Sequence, residues 1–276
     1  MAIITLTTDW GDRDYYVAAA KGRILQEMPE ATIVDVSHKV RPFDSTEAAY
    51  LLRHVYSHFP KGTVHLIGIN TEETDRVSHV CVLYDGHYFI GADDGIFSLI
   101  FKQKPEKAVY LETPHEGSSH TFSTRDRFVG AAVLLAKGAS LDELGRSEAE
   151  LVQKLSFEPA SNQQGIRGMV IHIDTYENLI TNIPRSLFDE VIGTKPFRLA
   201  LKGYACSEVS EGYSDVPESE ILCLFGSNDL LQVALNKANA ASLLGISLND
   251  PITVLLQEEI ETTQRPNLKL SSSSGF

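Results

Sequence analysis

Three carboxylates, Asp9, Asp12 and Asp14, stand within six residues around Gly11, directly after the apolar run Ile3-Ile4-Thr5-Leu6. Acids crowded at the end of a strand repel one another and must be hydrated, matched to cations or used on a ligand. A carboxylate there can take both hydroxyls of a vicinal diol, because its two oxygens match two donors. Other polar groups follow other predicted strands. They are Asn70 with Glu72, Glu73, Asp75 and Arg76, then Asp93 and Asp94, then Ser123, Thr124, Arg125 and Asp126 ahead of a helix. Each has a plainer use. Asp12 and Asp14 also suit a helix N-terminus, where the dipole favours acids. Arg125-Asp126 suits an internal ion pair, and Phe43 before Asp44 a hydrophobic staple. Asp9, which precedes the glycine, reads as the ligand group, and Asp14 as helix capping.

The elements that must position these groups alternate in the first half of the chain. Ile3 to Thr8, Thr32 to Val36 and Thr63 to Ile69 are predicted strands, separated by helices over Asp14 to Met28 and Asp44 to His58. Pro29 and Pro60-Lys61-Gly62 stop the two helices, and Asp44 with Glu47 forms a capping-box pair. A β-α-β-α-β order demands a parallel sheet with right-handed crossovers, whose strand ends share one ligand-binding edge. His79 to Tyr84 and His87 to Ile90 flank Asp85-Gly86, a hairpin signal. Helices are predicted at Ile96 to Phe101 and Arg125 to Lys137, with a strand at Lys107 to Leu111 between them. Beyond a polar stretch the pattern becomes short strands: Met169 to Asp174, Leu179 to Ile183, Phe197 to Leu201, Ile221 to Phe225 and Ile252 to Leu256. Leu231 to Leu244 alone reads as helix there. The expected organisation is an α/β domain with a parallel or mixed sheet at 1–157, a linker at 158–166, and a β-barrel or β-sandwich domain at 167–276, frayed over 271–276.

Composition narrows the function. The 276 residues are 43% hydrophobic and 22% charged, as in an ordinary globular protein, with net charge -13. That balance argues against nucleic acid or anionic membrane as partner. Cys81, Cys206 and Cys223 are scattered, and the nine histidines show no metal-type spacing. No metal and no cofactor are expected. A chain that enters a strand at once, without a basic leader, is expected to lack a signal peptide and to work in the cytoplasm. Neither a phosphate loop, a GxGxxG turn nor a GxSxG elbow is present.

The opening Ile4-Thr5-Leu6-Thr7-Thr8-Asp9-Trp10-Gly11, with Tyr16 to Gly22, resembles the start of the S-adenosylmethionine hydroxide adenosyltransferase family, whose relatives are fluorinases and chlorinases. Further segments keep the resemblance in order: Ile33 to His38, Pro42-Phe43-Asp44, Gly91 to Gly95, Thr121 to Asp126, His172-Ile173-Asp174, Asn178 to Ile183, Phe225 to Asn228 and Ala234-Leu235-Asn236. The resemblance implies an α/β domain followed by a β-rich one, and homotrimers with adenosyl sites between subunits. It implies that Asp9 binds the ribose diol and Phe43 packs on the ligand. Asp174 would hold the methionine amino group and Ser227 its carboxylate. Asn178 would bond adenine, helped by backbone near Leu235 and Lys237. The implied reaction displaces methionine from the ribose 5′ carbon, with S-adenosylmethionine as substrate and no further cofactor.

At the nucleophile the chain departs from its family. The hydrolases carry an Asp-Arg-His set; Asn70 stands at the Asp position, Ser123 at the His position, and Arg76 is the nearest Arg. Three readings follow: hydrolysis with water handled by Glu72, Glu73, His79 or His120, halide transfer with Ser123 and Thr124 as small donors, or binding without catalysis.

Overall fold

The computed structural model describes residues 2–115, 121–145, 148–155 and 157–257. The predicted frayed tail and His120 lie outside them. The chain divides into two compact units, Met1–Ser156 and Phe157–Phe276.

The first unit runs β1 (Ile3–Thr8), α1 (Tyr16–Glu27), β2 (Thr32–Ser37), α2 (Ser45–Val55), β3 (Val64–Gly68), β4 (His79–Tyr84), β5 (His87–Ala92), α3 (Ile96–Ile100), β6 (Lys107–Tyr110), α4 (Val129–Ala136) and α5 (Leu141–Leu144). Six strands form one sheet in the order β2-β1-β3-β5-β4-β6. β1, β2, β3 and β5 pair in parallel, while β4 runs against both β5 and β6. β3 is buried along its length, as a central strand covered on both faces must be. Val64 and Leu66 enter one core with Ile24 of α1 and Val129 and Val133 of α4. Ile67 enters the other with Ala48 and Leu52 of α2 and Phe97 of α3. The β4–β5 turn has positive φ at both Asp85 and Gly86, which the two-residue hairpin requires.

Polar side chains are sealed into this sheet, His65 among them. His65 of β3 meets Thr5 Oγ1 through Nδ1 (2.8 Å) and His87 through Nε2 (3.3 Å), and stacks on Phe89. Burial pushes the His65 imidazole down to about 3 and that of His79 on β4 to about 4. Both enter the fold neutral, whereas the unfolded chain takes up protons below about 6.5. Their contribution is therefore complete above pH 6.5 and is lost as pH falls toward 4, up to roughly 4 kcal/mol per fully sealed imidazole. Urea midpoints should hold between pH 7.5 and 6.5 and then fall toward pH 4.5, less steeply in His65→Asn. A midpoint constant down to pH 4.5 would contradict the burial argument.

The second unit runs β7 (Ala160–Asn162), β8 (Gly165–Ile173), β9 (Leu179–Pro184), α6 (Arg185–Val191), β10 (Phe197–Leu201), β11 (Tyr204–Cys206), β12 (Val209–Ser210), β13 (Ile221–Phe225), β14 (Leu230–Leu235), α7 (Ala240–Leu244) and β15 (Pro251–Leu256). Its nine strands curl into a nearly closed barrel in the order β11-β10-β15-β8-β9-β14-β13-β12, with β7 on β8. β8 makes the corner. Its first half pairs with β7 and β15, its second half with β9, and the register shifts between Val170 and His172. Ile166, Val170, Leu199, Val233 and Val254 fill the interior.

Several expectations need correction. Leu231 to Leu235 is strand, not helix: the apolar run is only strand-length, pairs with β13, and gives way to a turn at Lys237 with positive φ. Only α7 remains helical there, and α6, which follows Pro184, was not expected. The stretch read as a linker carries the β7–β8 hairpin, turned at Asn162 to Gly165. The Arg125 helix begins as a π-helical turn over Thr124–Phe128 before α4. α1 starts at Tyr16 with no side-chain cap, so Asp14 does not cap it. Asp44 does cap α2, accepting from Thr46 and Glu47 N–H, but Glu47 turns to Arg41 rather than back to Asp44.

Candidate active site

The polar groups of the first unit gather where β1 and β3 end. Gly68 closes β3, and a Cβ on it would lie 2.7 Å from the Trp10 ring and 3.3 Å from Thr124 Oγ1. Only glycine lets the loop after β1 and the π turn converge there. Trp10 packs edge-on against Phe122 (5.2 Å between centroids), and Tyr16 does the same (5.3 Å), so an aromatic cluster ties Asp9 to the segment that carries Ser123.

Asp9 is half-buried, and its Oδ2 accepts the Phe43 N–H at 2.8 Å. That bond holds Phe43 at a φ of 63°, a costly conformation for a bulky residue. The Phe43 ring is 74% exposed, so it is presented outward and does not staple α2. Asp12 pairs with Lys39 at 2.9 Å, which holds its carboxyl below the usual range. Asp93 and Asp94 serve structure. Asp93 accepts from Gly95 and Val152 N–H, and Asp94 from Ile96 N–H and the Ser45 hydroxyl. Arg125 pairs with Asp126 and lies 4.9 Å over Phe122.

A cavity of about 440 Å³ opens beside the end of β3, lined by Thr71, Glu72, Glu73, His115, Thr121 and Ser123. Asn70, which precedes Thr71, is exposed, with φ 45°. Ser123 and Thr124 are buried, and Thr124 Oγ1 has no hydrogen-bond partner among the described residues.

Arg127, beneath the cavity, was not singled out from sequence. Its Nη1 donates to Glu73 Oε2 (2.8 Å) and His79 Nδ1 (3.1 Å), its Nε to Thr113 O (2.8 Å), and its Nη2 to Leu111 O. His79 is sealed and neutral, and its Nε2–H donates to Thr71 O at 3.0 Å. The tautomer follows from these two partners. Glu73, His79 and His115 bring one ligand atom each within 4.8 Å of the others, a spacing a metal ion would accept. The Arg127 guanidinium already takes two of those three donors, so the cluster holds a cation of its own. Arg76 lies elsewhere, in the exposed turn closed by Thr74 and Val77. The second arginine of Arg125-Asp126-Arg127 was the available signal; its register on a π turn was not.

In the second unit, Asp174 and Asn178 form one local knot. Asp174 Oδ1 accepts from Tyr176 and Asn178 N–H, and Oδ2 from Asn178 Nδ2 at 2.9 Å. Glu177 in the same loop accepts from Ser242 N–H and Asn239 Nδ2, which brings the turn after β14 beside it. That turn carries buried Leu235 and exposed Lys237, whose ammonium pairs with Glu218. Ser227 is exposed in the β13–β14 turn, closed by Asp229 N–H to Gly226 O. Asp9, Phe43, Asn70, Ser123 and Thr124 thus belong to one edge of the first unit, and Asp174, Asn178, Ser227, Leu235 and Lys237 to loops of the second.

Two family models match the chain in sequence order. The description "SAM hydroxide adenosyltransferase N-terminal domain" matches residues 4–145, and the corresponding C-terminal domain matches 168–253. The chain is 30% identical to an (R)-S-adenosyl-L-methionine hydrolase of Methanocaldococcus jannaschii, over 92% of this chain and 95% of that one. It is 26% identical to a fluorinase of Nocardia brasiliensis, over 87% and 92%. The crystal structure of an uncharacterized conserved protein from Thermotoga maritima superposes with TM-score 0.82 at 26% identity, covering 92% and 100%.

Proposed function

The chain belongs to the SAM hydroxide adenosyltransferase family, and from that premise we propose that it cleaves S-adenosylmethionine with water, giving adenosine and methionine. The observation that carries water over halide is the cavity wall at Ser123. Glu72, Glu73 and His115 line it. Two carboxylates there disfavour a halide ion, whereas acceptors and an imidazole suit a water molecule.

In this reading the adenosyl group is held by the residues described above. Asp9 offers its carboxylate to the ribose diol while it fixes Phe43, whose outward ring covers the ligand. Asn178 bonds adenine with backbone help near Leu235 and Lys237, and Asp174 and Ser227 hold the methionine amino and carboxylate groups. Three copies assemble so that neighbouring subunits share each substrate; sedimentation at the mass of one chain would contradict that. A net charge of -13 favours a cationic sulfonium substrate.

Displacement is in line at the 5′ carbon. The water oxygen bonds to carbon as the carbon–sulfur bond breaks, and the electron pair leaves on sulfur as a neutral thioether. The leaving group needs no proton, so catalysis consists of aligning water, limiting its solvation and accepting one proton from it. Incubation with S-adenosylmethionine, with and without chloride, bromide or iodide, should yield adenosine and methionine at a rate that halide does not raise. A 5′-halogenated adenosine as the main product would overturn the reading.

A further inference from the structure

We propose that His115 accepts the proton of the attacking water and that Arg127 is the positioning residue that presents it. This rests on the hydrolysis reading above. The cavity at Ser123 must contain the proton acceptor, because Asn70 and Ser123, at the family's Asp and His positions, are poor bases near neutrality. Of the groups lining it, Thr71, Thr121 and Ser123 are hydroxyls. Glu73 has its Oε2 occupied by the Arg127 guanidinium at 2.8 Å. Glu72 is exposed to solvent. His79 faces away, with Nδ1 on Arg127 and Nε2–H on Thr71 O. Among the described residues of the wall, His115 remains as the imidazole.

Its surroundings fit the role. His115 lies with Glu73 and His79 in a group whose donor atoms approach within 4.8 Å, so an imidazolium formed there meets the Glu73 carboxylate. Arg127 fixes both loops that build this corner. It binds the carbonyls of Leu111 and Thr113, just before His115, and the Glu73 side chain on the other loop. The π turn over Thr124–Phe128 aims Arg127 inward, and such insertions are frequent at functional sites.

The test uses the full-length protein and S-adenosylmethionine. His115→Ala should lower kcat by about 100-fold or more with KM changed less than about threefold, and added imidazole should restore at least a tenth of the wild-type rate. His115→Gln, which keeps the volume, should stay inactive with imidazole and melt like wild type. A rate kept in His115→Ala, or a loss that imidazole does not restore, overturns this assignment alone. Absence of adenosine from the wild-type reaction overturns the hydrolysis reading, and this assignment with it.

Discussion

Asp9→Asn is expected to weaken S-adenosylmethionine binding by about 100-fold while leaving the melting temperature unchanged. In the proposed site the carboxylate has two tasks, and the substitution separates them. One oxygen accepts the Phe43 N–H at 2.8 Å and holds that residue at positive φ. Asparagine keeps a carbonyl oxygen for that bond, so the loop and the exposed Phe43 ring stay in place. The ribose diol loses one acceptor and meets an amide that must donate, and the sulfonium loses a nearby negative charge. Charge-assisted hydrogen bonds contribute about 1.5–3 kcal/mol each, and roughly 3 kcal/mol corresponds to the expected factor. Calorimetric titration checks it. Unchanged affinity would remove Asp9 from the ribose site.

Arg127→Met should have the largest structural effect of any single change at the site. The guanidinium is 10% exposed and serves the Leu111 and Thr113 carbonyls, the Glu73 carboxylate and His79 Nδ1. Methionine fills the volume but leaves a carboxylate and buried acceptors without their donor, a cost of about 3–5 kcal/mol. In a chain of this length that lowers the melting temperature by roughly 10 °C. Turnover should fall as well, because the loops bearing Glu73 and His115 lose their common strut. Arg76→Met, in the exposed turn, should change neither quantity. Thermal melts and initial rates of the two variants decide it, and equal effects would show that the cluster does not depend on Arg127.

How legible this was in the sequence depended on the range of the interactions involved. The alternation of strands and helices through residue 69, the Asp44 cap and the Asp85-Gly86 turn are local signals, and each marks its element. The strand at Leu230–Leu235 was not legible as such, because a short apolar run suits either a strand or a buried helix until its partner β13 is known. At the site, Asp9 stood out because a carboxylate beside glycine at a strand end is locally unusual. Asn70 and Ser123 marked what this chain lacks. The cluster proposed to stand in for them was hidden, since Glu73, His79, His115 and Arg127 come from four separate segments. Their proximity depends on the antiparallel turn of β4 and on the one-residue offset that a π turn adds, neither of which leaves a pattern in spacing.

The product assay run in oxygen-18 water tests the central claim most directly. Purified protein should convert S-adenosylmethionine to adenosine whose 5′-hydroxyl carries the heavy isotope, with methionine unlabelled. Unlabelled adenosine, or no adenosine while S-adenosylmethionine still binds, would contradict water as the nucleophile.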